Sequence, residues 1–167
     1  KMSTVVGTAF AWGKGAEIFG NLVRERTNGR INIKLYPGSS LVQGQQDREF
    51  SAMRQGVIDV LVGAPINWSG TVKEFGVWAL PFLFPDHKAY DAVMASEVMT
   101  TDFFNIVRKA GAEPLAVGET GFRQLSNSKR PVSKVEDLEG LKLRVIPNPI
   151  NVDWVKALGA NPTPMPF

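Results

Sequence analysis

At 167 residues and 44% hydrophobic, the chain can build one well-buried core, or one domain and part of a second, and its composition is not that of a disordered segment. Nineteen Lys and Arg against 16 Asp and Glu give a net charge of +3, but the two signs are interspersed, which argues against a nucleic-acid groove. The absence of cysteine excludes disulfides and thiolate metal sites. The longest apolar run, Val77 to Phe84, is too short to span a bilayer, and Lys1 is not followed by the apolar core of a signal peptide.

Lys1 to Val6 reads as a strand that begins with no preceding turn. From about Trp12 to Thr27, Ala16, Phe19, Leu22 and Val23 recur at helical spacing until Asn28-Gly29 ends the run. Gly13-Lys14-Gly15 lacks the third glycine of a dinucleotide loop. Ile31, Ile33 and Leu35 alternate as a second strand up to Pro37-Gly38. A helix is expected over about 45–55, with Gly56 as its stop, and 57–62 is a short apolar strand of the kind covered on both faces. This strand, helix, strand rhythm predicts an α/β fold with a parallel sheet. The loop after the third strand holds Asn67 and Trp68 at the strand's C-terminal end, where ligands of open α/β sheets sit. Trp68 is open to two readings there, core plug or ligand contact.

The segment 77–84 reads as extended because proline disfavours helix in the residue before it, and Phe82 and Phe84 read as core. Asp86 is placed to cap a helix through about Ser96, which makes His87, the sole histidine, a first-turn residue. A second helix over about 101–110 stops at Gly111, and a strand is expected around 114–117. The stretch GFRQLSNSKRPVSKVEDLEGLKLRVIP then carries two arginines in segments that read as strands, Arg123 and Arg144. Ser133 and Glu136 have capping-box spacing, and Gly140 closes that turn. Over Leu141 to Ile146, period-two alternation sets Leu141, Leu143 and Val145 on one face and Lys142, Arg144 and Ile146 on the other, and Pro147 stops the ladder. Arg144 thus falls near the end of its strand, where a guanidinium can grip a carboxylate with two parallel hydrogen bonds. A helix over about 150–158 and a proline-rich extended run to Phe167 follow.

The arginine stretch, the following LGANPTPMPF, and upstream RTNGRINIKLYPGSSL, RQGVIDV and LPFLF together resemble the solute-binding proteins of tripartite ATP-independent periplasmic (TRAP) transporters, the DctP-like family. The resemblance implies a periplasmic-binding-protein-like fold of two α/β lobes, here incomplete: a first lobe over 1–120 and the start of a second over 121–167. It implies that Arg144, after Asp137-Leu138-Glu139-Gly140, forms the salt bridge to the ligand carboxylate, that Arg123 assists, and that Phe167 stacks on the ligand. Asn148 stands one residue beyond the place where family members carry an amide. Ala64 replaces a glutamate of the sialic-acid-binding members, which points to a smaller or more apolar acid.

The implied function is periplasmic capture of a small organic acid and its delivery to the TRAP membrane permease, with no cofactor, metal or catalytic residue. Open strand edges leave room for a dimer or strand exchange. A receptor-coupled carboxylate sensor would use the same cleft. An α/β enzyme would need a nucleophile with its base or a metal cluster, and the chain shows no GxSxG and no phosphate-cradling GxxxxGK.

Overall fold

The structure, a computed structural model, describes residues 1–166. The chain divides into two compact units, residues 1–76, which also take in Pro166, and residues 77–165.

The first unit is a three-stranded parallel sheet of β1 (Met2–Thr4), β2 (Leu35–Tyr36) and β3 (Val60–Val62), in the order β2-β1-β3. Met2 lies opposite both Leu35 and Val60, which fixes the central strand's register on each side. Helix α1 (Ala11–Arg26) joins β1 to β2, and α2 (Glu49–Arg54) leads into β3, so the expected alternation is realised with strands shorter than the apolar runs. Residues 31–34 stay outside the ladder apart from the Lys34 carbonyl, which accepts from the Met2 N–H at 2.9 Å. A 3-10 turn (Gln46–Arg48) precedes α2, and Gly56 closes that helix in the left-handed region at φ 76°. Phe50, Trp68 and Phe75 fill the core beneath the sheet, the Phe50 and Phe75 rings meeting edge-on at 5.5 Å.

The second unit opens with two departures from the sequence pattern. Lys73–Ala79 is a 3-10 helix that runs across the unit boundary, where the sequence pattern leads to extended chain. Phe82 takes a positive φ of 57°, which swings its ring outward to 99% exposure. Phe84 does pack, against Trp78 and Tyr90. Helix α3 (His87–Met94) starts as expected, with Asp86 Oδ1 accepting from the Ala89 N–H at 2.8 Å. A π turn (Val98–Phe103) merges into α4 (Phe104–Lys109), and Gly111 ends it at φ 95°. Residues 112–132 then run without any ladder, so the strand expected at 114–117 is extended chain open to solvent.

The unit's ordered end is β4 (Lys142–Val145), α5 (Pro149–Ala157) and β5 (Asn161–Pro164), with β4 and β5 parallel and Arg144 opposite Thr163. Leu141, Leu143 and Val145 are buried together with Leu138, Val155 and Ala160, and Lys142 and Arg144 are exposed, as the alternation requires. Each such Leu or Val contributes roughly 1.5–3 kcal/mol through burial. No helix among the described residues is long and apolar enough to cross a membrane.

Candidate functional site

Within the second unit, Arg144 sits on the exposed face of β4 two residues before the strand gives way to the turn that starts α5. Its Nε donates to the Met165 carbonyl at 2.9 Å. That bond ties the guanidinium to the residue following β5, and among the described residues the two terminal nitrogens make no bond and can act as a fork. Met165 carries nothing in its side chain that marks this role, because a main-chain carbonyl leaves no signature in sequence.

Arg123 lies in the extended segment before the 3-10 turn (Val135–Leu138), near enough for its charge to act on Arg144. Burial first, and the Arg123 charge second, push the Arg144 guanidinium below its usual value. Neither arginine forms an ion pair among the described residues, although Arg108 nearby in sequence takes Glu113 at 3.0 Å. Two guanidinia near enough to interact, with no carboxylate paired to either among the described residues, favour an anion from outside. The intervening turn is pinned differently from its expected capping box. Asp137, not Glu136, accepts from the Ser133 and Lys134 N–H groups, because Lys134 is the residue that enters the turn. Arg130 holds the same turn by donating to the Asp137 carbonyl at 2.9 Å and to the Glu139 carbonyl.

Asn148 follows on the same chain segment, and its side chain is occupied locally. It is 3% exposed, and its Oδ1 accepts from the Ile150 N–H at 2.8 Å and the Asn151 N–H at 3.3 Å, capping α5. Val152 N–H is taken by the Asn148 carbonyl. The first turn of α5 therefore has its donors satisfied, and the positive groups of this region are the guanidinia.

In the first unit, Trp68 is 7% exposed, packed on Phe50 and Phe75, with its indole N–H donating to the Gln46 carbonyl at 3.2 Å. Asn67 donates to Gln46 Oε1 at 3.4 Å. Gln46 is thus the hub that joins the loop after β3 to the turn before α2, a role without a sequence signal. Phe167 lies outside the described residues. Among those residues no group of three or more His, Asp or Glu gathers as a metal site.

The chain is a parallel α/β protein with two guanidinia beside a strand end, an arrangement chemically suited to an anion. The profile of the DctP family, described as bacterial extracellular solute-binding protein, family 7, matches residues 2–167, and the chain belongs to that family. It is similar in structure to a TRAP periplasmic solute-binding protein from Ralstonia eutropha H16 with bound (S)-2-acetolactate, at 59% identity and TM-score 0.95 over 99% of this chain and 52% of that one. It is also similar to a TRAP periplasmic solute-binding protein from Sulfitobacter with bound β-D-galacturonate, at 27% identity and TM-score 0.92 over 99% of this chain and 54% of that one. In sequence it is 35% identical over 156 residues to the 2,3-diketo-L-gulonate-binding periplasmic protein YiaO of Escherichia coli, covering 91% of this chain and 45% of that protein. The chain spans about half the length of the relatives it matches.

Proposed function

We propose that the protein is a periplasmic solute-binding subunit of a TRAP transporter, which captures a small organic acid and hands it to the membrane permease. The observation that carries the reading is the Arg123 and Arg144 pair, two guanidinia near enough to repel and without a carboxylate partner among the described residues. Arg144 takes the ligand carboxylate through its free fork, and Arg123 adds a second positive group. Asn148 keeps the start of α5 in place beside them, and Asn67 and Trp68 hold their loop through Gln46. Phe167 is kept as the stacking group that the family pattern assigns.

The ligand we infer is a short, branched 2-hydroxy-3-oxo acid of the acetolactate kind. Support comes from the acetolactate-bound relative at 59% identity and from Ala64, which places no charge at the end of β3. The lobe division at residues 120 and 121, which differs from the division into compact units at residues 76 and 77, belongs to the same proposal. So does exchange of strands between copies, which a light-scattering mass constant at one chain over a concentration series would remove.

Calorimetric titration of the full-length protein with (S)-2-acetolactate, succinate and galacturonate tests the ligand, with acetolactate expected to bind tightest. Arg144→Ala is expected to cost on the order of 2–5 kcal/mol of affinity for the bound acid. Unchanged affinity in that variant would take Arg144 out of the site, and preference for galacturonate would reject the inferred ligand class.

A further inference from the structure

Helix α2 begins with an acidic residue on its buried face. Glu49 shares a face with Ala52, and both are buried, Glu49 at 0% exposure. Its Oε1 accepts from the Ser3 hydroxyl of β1 at 2.5 Å. Among the described residues neither its Oε2 nor the hydroxyl of Ser39 makes a well-formed hydrogen bond, although Ser39, 1% exposed, flanks the same carboxyl from the loop after β2 closely enough to act on it. Ser39 is held there at cost. Its backbone is left-handed at φ 48°, a conformation that a residue with a Cβ adopts only when its surroundings enforce it. The loop that enforces it closes on Ser39: its carbonyl accepts from the N–H groups of Val42 and Gly44, and its own N–H donates to Thr4.

Among the described residues no positive group acts on this carboxyl. The groups acting on it are the two serine hydroxyls, from β1 and from the loop. Asp47, Arg48 and Arg54 on its own helical segment are exposed, and Asp59 beside β3 is taken by the Lys1 amino group at 2.6 Å. A buried carboxylate without a counter-charge is strongly disfavoured even where the Ser3 and Ser39 hydroxyls can donate to it, and a proton on Oε2 removes that charge and gives Oε2 a donor to offer the Ser39 oxygen.

We propose that Glu49 is held in the folded protein as a neutral carboxylic acid clamped between Ser3 and Ser39, and that this proton links the integrity of the loop over residues 38–45 to pH. Burial pushes the carboxyl above its ordinary value, with the Ser3 and Ser39 hydroxyls pulling the other way. The sign follows from linkage. Above the ordinary carboxylate value the unfolded chain has released a proton that the folded unit retains, so stability falls as pH rises until the folded group ionises, and is level beyond. The loop so clamped leads directly into Gln46, the hub that holds Asn67 and Trp68.

The test compares melting of the wild type and Glu49→Gln across pH, together with the NMR titration of the Glu49 side-chain carboxyl carbon in the wild type. Wild-type stability is expected to fall relative to the variant by about tenfold in the folding constant per pH unit over the window between the two values. The carboxyl carbon is expected to titrate well above a free glutamate. Parallel melting curves overturn the proposal, as does a carboxyl carbon already ionised in the ordinary range, and the NMR arm decides even where the variant fails to fold. A melt stabilised by sodium or potassium chloride but not by choline chloride at equal ionic strength would mean that a cation, not a proton, neutralises the carboxylate, and it overturns the proposal too.

Discussion

Arg144 and Asn148 stand four residues apart and call for different experiments, because one side chain has unused donors and the other has its acceptor engaged. Among the described residues Arg144 gives a single bond, to the Met165 carbonyl, and keeps its fork, so its removal should be felt in affinity and little in stability. Asn148 caps α5 through two N–H groups, and Asn148→Ala should lower stability by about 0.5–2 kcal/mol, read as a fall in denaturation midpoint. Serine is also a good cap. Asn148→Ser is therefore expected to restore both stability and ligand affinity if Asn148 acts by holding the helix start. A serine variant that is stable and has lost affinity would instead make the amide a direct ligand contact.

At the scale of the element, helix α1 is seated by a contact too close for any side chain. A Cβ built on Gly13 would lie 2.2 Å from the Gly7 carbonyl carbon and oxygen, main-chain atoms that cannot rotate away. Gly13→Ala should therefore destabilise the first unit by about 1–3 kcal/mol despite alanine's better helix propensity, and thermal melting of the variant checks it. An unchanged or raised melting temperature would show that α1 shifts freely over the Gly7 turn. Much of this architecture is legible in the sequence. The alternation through Leu141, Leu143 and Val145 fixes β4 and the outward face of Arg144, and Asp86 announces α3. What is not legible depends on partners distant in sequence. Residues 114–117 have strand composition, but a strand needs a neighbour to bond to, and none reaches them among the described residues. Phe82 reads as core by pattern and turns outward because its φ is positive. Glu49 looks like one more charge in a helix, and only tertiary packing shows that it falls on the inward face. The candidate place of Arg144 is legible as a residue type at a strand end, while the Met165 carbonyl that orients it comes only from the pairing of β4 with β5.

At the scale of the whole molecule, the two kinds of extended chain in the second unit differ in where their backbone groups go. In β5, the Asn161 N–H reaches the Leu141 carbonyl at 2.7 Å and the Met165 N–H reaches the Val145 carbonyl at 3.0 Å. Pro162 and Pro164 alternate with those donors, so the outer edge of β5 lacks N–H groups at these two positions, and addition of a further strand there is discouraged. Residues 113–128 have neither arrangement. Among the described residues no main-chain bond joins them to another segment, and they are held by side chains: Arg108 on Glu113 and His87 on Glu119, pairs exposed enough to contribute little, and the Phe122 ring edge-on to His87 at 4.9 Å. Leu115 and Val117 are 65% and 47% exposed there, on a stretch whose amides water alone must satisfy. Hydrogen exchange should separate the two sharply: the amides of Asn161 and Met165 slow, those of 115–126 close to the rate of an unstructured peptide. Protection over 115–126 equal to that of Met165 would mean that another strand takes these groups in solution, and the segment would then be a paired element of the sheet.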